Sequence, residues 1–278
     1  MKRKGKKILP CLLIGCLLAF LPGCQKAEPA DQTSNQADKA PPILAPDEQE
    51  AAAAEKIALS DALIPGKNAE GAACHLASVQ IDNQSDQPVH IAVESLSVLD
   101  AHDKTVKKLD GGIAVYPQTI KKGGSAFIAE QVDLSAFTVD EGYHIEISYT
   151  VSSAEAPLDT IDISNIKPAL DDNGLPKCAG ILKNNGRAKF ENGVVLCPMY
   201  QADGEFRCLA IATLEETIEP GANPAFIATS SFIPDDFDAL TAQVKPLAYT
   251  TTKSQAVTQV KPGKNTPDTT KEQLAMLG

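Results

Sequence analysis

The residue types in this chain that could carry chemistry are its seven cysteines and four histidines. The cysteines are Cys11, Cys16, Cys24, Cys74, Cys178, Cys197 and Cys208; the histidines are His75, His90, His102 and His144. No two histidines stand at metal-ligand spacing on one element, and there is no H-E-x-x-H string. His144 falls at an outward position of an alternating run, where a solvated side chain is expected. Serine nucleophiles lack the G-x-S-x-G elbow, and "DGGIAV" leads into a strand pattern, not into the helix a phosphate loop requires. No catalytic residue can be nominated. The expectation is a chain that is not an enzyme and takes no metal, so the weight falls on the cysteines and on the elements that position them.

Cys24 ends a distinct segment. "MKRKGKK" carries five positive charges and no negative ones, and Ile8 to Phe20 is a mostly apolar run of about thirteen residues, against the roughly twenty a membrane-spanning helix needs. A basic start, a short apolar core and small residues at its end make a secretory signal peptide over 1–23. The ending Leu21-Pro22-Gly23-Cys24 resembles a bacterial lipobox. That resemblance implies a diacylglyceryl group on the Cys24 thiol, cleavage just before it and an N-acyl chain on the new amino terminus. Two or more acyl chains give a stable membrane anchor where one is marginal. The alternatives are an ordinary signal peptide that happens to end near a cysteine, or a retained helix, which the length disfavours. The expected location is the bacterial cell envelope, lipid-anchored and facing outside the cytoplasm.

Composition narrows the partners. Without residues 1–23 the chain has 20 Lys and Arg against 36 Asp and Glu, a formal −16. Nucleic acid, which needs basic stripes, is excluded as a partner, and so is polybasic adhesion to anionic lipid. There is no Trp and only 5% of residues are aromatic, which disfavours the flat stacking platforms of a carbohydrate module. Residues 24–55 are rich in Pro, Ala and charge without a sustained period and read as a disordered tether, spanning about 30 Å as a flexible coil. Residues 253–278 read as a flexible tail.

Between them the pattern is that of strands. In "YHIEISYTV", Tyr143, Ile145, Ile147, Tyr149 and Val151 point one way and His144, Glu146, Ser148 and Thr150 the other, the period of a half-buried strand. "HIAVESLSVL", "SAFIAEQV", "CAGILKN", "NGVVLCPMY" and "EFRCLAIATL" read as further strands, separated by turn signals such as "DNQSDQP", "KKGG", "QADGE" and "EPGANP". The chain also repeats itself at an offset near 98–101 residues. Asn83 faces Asn184, Asp103 faces Asp203, Gly123 faces Gly221, Phe127 faces Phe226 and Tyr149 faces Tyr249. The reading is all-β: two tandem immunoglobulin-like β-sandwich domains, 56–152 and 158–252. The asparagines and glycines would hold tight turns or positive φ, and the phenylalanines and tyrosines would be core.

The order of apolar strand, Asn turn, apolar strand, Asp-Gly hairpin, strand, Pro-Gly-x-x-x-x-Phe and closing strand resembles FxLYD-type immunoglobulin-like domains, which occur in bacterial lipoproteins behind a tether. In the second copy Gly180, Asn184, Tyr200, Asp203, Gly204, Pro220, Gly221 and Phe226 fall in place. The first copy departs: it has His102-Asp103-Lys104 for Asp-Gly and Lys122 for the proline. The resemblance implies a fold and a surface location, and no reaction.

The remaining thiols divide one and three: Cys74 in the first repeat, and Cys178, Cys197 and Cys208 in the second. An extracytoplasmic location permits disulfides. A four-residue turn "QADG" sets Tyr200 opposite Glu205, and counting outward brings Cys197 opposite Cys208, where a bridge is possible. Buried reduced thiols and a three-thiolate metal site are the alternatives. The function expected is a non-enzymatic binding, interaction or structural module of the envelope, with an envelope or surface protein as partner. An accessory or sensor subunit binding a small ligand for a transporter, and a metal- or redox-active surface protein using the second-repeat thiols, are the competing readings.

Overall fold

The computed structural model describes residues 56–140, 142–155 and 161–251. The expected signal peptide, Cys24, the expected tether and the expected carboxy-terminal tail lie outside the described residues. The first half supplies β1 (Ile57–Asn68), β2 (Ala73–Asn83), β3 (Val89–Leu99), β4 (Thr105–Asp110), β5 (Thr119–Ile120), β6 (Ser125–Val132) and β7 (His144–Ser153). The second supplies β8 (Ile161–Leu170), β9 (Pro176–Asn184), β10 (Gly193–Tyr200), β11 (Phe206–Thr213), β12 (Ala225–Thr229), β13 (Phe232–Pro234), β14 (Gln243–Val244) and β15 (Leu247–Thr250). Every strand pairing among the described residues is antiparallel, and none of those residues is helical. The fold is all-β and sandwich-like.

In the first half β1-β2-β6 form one layer, and β3, flanked by β4 and β5 on one side and β7 on the other, forms the facing layer. Val79, Ile81, Ile91, Leu96, Val98, Ala126 and Ile128 close the core between them. The same pairings recur in the second half, where β8-β9-β12 face β10 with β11, β14 and β15; here Cys178, Leu182, Val195, Cys197, Met199, Phe226 and Ala228 fill the core. β11 also meets β12 at Ile211 and Thr229, which joins both layers into one curled seven-stranded sheet.

Two asparagines fix equivalent corners. The Asn83 side-chain amide donates to the carbonyls of Gln87 (2.9 Å) and Ile120 (3.1 Å), and its oxygen accepts from the Ser85 amide at 3.0 Å. Asn184 donates to Ala188 and Ile218, each at 2.9 Å, and accepts from the Gly186 amide at 2.9 Å. Each thereby ties the end of one strand to the turn that opens β6 or β12. In those turns Gly123 (φ 67°) and Gly221 (φ 81°) donate their amides back to Asn83 and Asn184; the left-handed φ is the reason for glycine.

Strand register corrects two of the matched pairs. Phe127 does not correspond to Phe226. Ala126 and Ile128 point into the first core, so Phe127 points out of it, whereas Phe226 points into the second core. The segment after Gly221 is one residue shorter than the sequence match assumed, and a one-residue slip turns a strand over. The partner of Asp103 is Gly204, since Asp103 itself takes the left-handed place in its hairpin (φ 59° against 84°). Tyr149 and Tyr249 do hold equivalent places, opposite Val93 and Val194. They reach different clusters, because a bulge between Val93 and Ser95 has no counterpart in the β10–β15 pairing.

Candidate functional site

Two features of the described residues concentrate unusual side chains: the seam where the halves meet, and the thiols behind it. The seam exists because β10 is buried on both faces, with all eight residues from Gly193 to Tyr200 buried. One face lines the second core. The other presents Val194, Leu196 and Tyr200 which, with Phe206 and Leu209 of β11, enclose Phe127 of the first half. The rings of Phe127 and Phe206 meet at 5.0 Å and those of Tyr200 and Phe206 at 5.9 Å, both tilted, a geometry aromatic pairs favour.

Polar contacts set the register of this apolar contact. The Ser78 hydroxyl donates to the Phe206 carbonyl (3.1 Å), the Tyr200 hydroxyl donates to Gln80 Oε1 (2.9 Å) and Gln131 Nε2 donates to the Ser231 carbonyl (3.0 Å). β13 pairs directly with the end of β1, Gly66 opposite Pro234 and Asn68 opposite Phe232. Gly66 sits there for lack of space: a Cβ would run into the Ile233 carbonyl and the Phe232 ring. Lys245 caps the outer side of Tyr200, its Nζ 4.5 Å from the ring centre.

Beside the seam Arg207 gathers three carboxylates, Asp203 (3.0 Å), Glu205 (3.0 Å) and Asp236 (3.6 Å). Arg207 is the extra residue of a bulge in β11. Among the described residues no group of three or more His, Cys, Asp and Glu could hold a metal ion.

The three thiols of the second half are fully buried in one cluster, Cys74 is half-buried, and all four are free. Their register differs from the outward count. Gln201 and Glu205 close the turn, one step tighter than expected, and Arg207 then bulges. Cys197 therefore pairs with Ala210, and Cys208 with Met199; the two cysteines are diagonal neighbours, not opposed ones. What Cys197 does meet is the thiol of Cys178. That hydrogen bond, followed by burial, pushes the Cys197 thiol far above its ordinary range. Burial pushes Cys208 up as well, against a hydrogen bond with Ser230 that lowers it. Cys74 is raised, mainly by burial. Such thiols are held protonated and are poor nucleophiles.

His144 is exposed, as its strand position requires, with Nε2 3.5 Å from Asp103 Oδ1. His75 is half-buried at the edge of β2, its Nδ1 without a hydrogen-bond partner, and burial lowers its pKa. Two depressions border β1. One, of about 170 Å³, is lined by Leu59, Asp61, Val79, Ile145, Glu146 and Ile147; the other, of about 140 Å³, lies against the seam between Asp61, Gln80 and Phe206. Both are below the roughly 300–1,000 Å³ usual for a ligand pocket. Asp61 also closes part of the free edge of β7 by accepting the Ile145 amide at 3.1 Å.

Sequence reasoning did not find Gly66, the Ser78–Phe206 and Gln80–Tyr200 bonds or the Cys178–Cys197 contact. One signal could have exposed the seam. "GVVLCPMY" is apolar nearly throughout, whereas "HIAVESLSVL" mixes in polar residues, and an unbroken apolar strand is one buried on both faces.

No protein-family model and no characterised protein sequence matches the chain. Among solved structures, a transglutaminase from red sea bream aligns with 71% of this chain and 32% of its own at 10% identity and a TM-score of 0.21. The chain thus spans about a third of that protein's length. A chaperone–tip adhesin complex of CFA/I fimbriae biogenesis aligns with 62% of this chain and 90% of its own at 12% identity and a TM-score of 0.14.

Proposed function

We propose that this chain is a membrane-anchored extracytoplasmic lipoprotein whose paired sandwiches act as a non-enzymatic binding or structural module of the cell envelope. The observation that carries the reading is how its buried polar side chains are used. Ser78, Asn83, Ser85, Asn184 and Ser230 all bond to turns, strand ends or the seam, so these groups build the body and do not converge on a reacting centre. The depressions beside β1 are small, and the perturbed thiols are held protonated. The anchor rests on the basic leader, its short apolar core and Leu21-Pro22-Gly23-Cys24. The partner of such a body is an envelope or surface protein that meets its outer strands or end loops, the usual binding regions of a sandwich.

The experiment has two parts. Metabolic labelling with a fatty acid is expected to mark the wild type and to be lost in Cys24→Ala, with the variant leaving the membrane fraction. Label retained by Cys24→Ala would overturn the anchor. Crosslinking in intact cells is then expected to trap an envelope protein on the body. Adducts with membrane lipid alone would remove the binding role.

A further inference from the structure

We propose that Cys178 and Cys197 close a buried disulfide across the core of the second sandwich. The two residues come from strands that are not neighbours. In the sheet order β10-β11-β12-β9 two strands stand between them, so a side-chain contact between β9 and β10 must cross the core enclosed by the curled sheet. Both residues are fully buried in the same core cluster, and the Cys178 thiol is the neighbour that most raises the Cys197 pKa. Their surroundings are small: Ala228 lies beside Cys178 and Ala210 beside Cys197, both buried, which lets the two layers approach. Cys208, the third thiol of the cluster, is diagonal to Cys197 on the adjoining strand. Diagonal positions stand about 7 Å apart, and a bridge needs Cβ atoms about 3.5–4.5 Å apart. The side-chain hydrogen-bond partner of Cys208 is Ser230.

The proposal rests on the extracytoplasmic reading for its oxidant, a small-molecule or protein disulfide of the thiol-oxidising class. One cysteine thiolate attacks that disulfide, releases one of its sulfurs as a thiol and forms a mixed disulfide. The thiolate of the second cysteine displaces the other sulfur. Cys178 and Cys197 together lose two protons and two electrons, and the oxidant's disulfide becomes two thiols. Exchange requires a thiolate with access to solvent, which neither residue has once the core is closed. The bond therefore forms while the chain is still open, and the finished core shields it from reductants.

The test uses the full chain in detergent, denatured, reduced and refolded in a mixture of oxidised and reduced glutathione, then alkylated in denaturant and mapped by mass spectrometry. The expected product is a linked peptide containing Cys178 and Cys197, lighter than the reduced pair by two hydrogens, with Cys208 alkylated. Alkyl groups on both Cys178 and Cys197, or a linked Cys197–Cys208 peptide, would overturn the proposal. Reductant added to the denatured protein should lower the urea midpoint of the wild type and of Cys208→Ser. It should leave that of Cys178→Ser unmoved; equal shifts in both variants count against the bridge. Protein quenched with acid directly from cells separates this idea from the one it rests on. A bridge formed on refolding but absent in cells leaves the pairing standing and overturns the oxidising location. Absence from both overturns the pairing.

Discussion

At the scale of single residues, the side chains with displaced pKa values report where burial competes with charge. Glu130 on β6 accepts the Ala114 amide at 3.0 Å, yet burial outweighs that bond and raises its carboxyl above the ordinary 4.5. In the unfolded chain the group ionises near that ordinary value, so between it and the raised folded value the folded state holds more protons. Stability must then fall as pH rises through that window, and the full penalty persists at neutral pH. Glu130→Gln keeps an oxygen for the Ala114 amide and removes the charge. The variant is expected to be more stable than wild type in urea at pH 7 and indistinguishable from it at pH 4. A pH-independent difference would show that Glu130 acts through packing alone. The thiols follow the same physics with another outcome: Cys197 is held neutral by its hydrogen bond with Cys178 and by burial, and Cys208 by burial against its bond with Ser230, which silences both as nucleophiles in the closed core.

At the scale of elements, β1 is the informative strand. It pairs with β2 along its length and with β13 at its end, and Gly66 makes the second pairing possible. Gly66→Ala forces a methyl group against the Ile233 carbonyl and the Phe232 ring. Overpacking of this kind costs about 1–3 kcal/mol. Urea denaturation should register that loss, with faster hydrogen exchange at Phe232 and Asn68; an unchanged midpoint would mean that the β1–β13 pairing bears no load. Elements were also where the sequence was most legible. The alternation from Tyr143 to Val151 reappears as alternating exposure along β7. The asparagine corners and the glycines at positive φ stand where the turn chemistry placed them, because turns are local. What escaped was the outcome of small counts: a turn closing one residue tighter, a bulge at Arg207 and a slip before Phe226. Each is invisible in a pattern of apolar and polar letters, and each moves every side chain beyond it to a new partner. The Cys178–Cys197 contact was hidden for a related reason. It joins strands that no hairpin connects, and spacing along the chain carries no information about facing layers.

At the scale of the whole molecule, the described residues of both sandwiches belong to one compact unit. Val194, Leu196, Tyr200, Phe206 and Leu209 would face solvent if the halves separated. The described residues are therefore expected to unfold in one cooperative transition, with circular dichroism and hydrogen exchange in both halves sharing a midpoint. Phe206→Ala removes the ring that contacts both Phe127 and Tyr200 and is expected to cost about 3 kcal/mol. Two well-separated transitions in the wild type would show that the seam does not couple the halves.

The apolar outer face of β10 also decides what kind of building block this is. Repeated sandwiches are commonly treated as beads that can be shuffled, spaced apart or grafted singly. Here the second bead has turned a flank that would normally be wetted into half of a shared wall, and the first has supplied Phe127 to meet it. Cut loose, that flank would seek another greasy surface, including a sister copy of itself. The pair has given up interchangeability, and only the duplex can be transplanted.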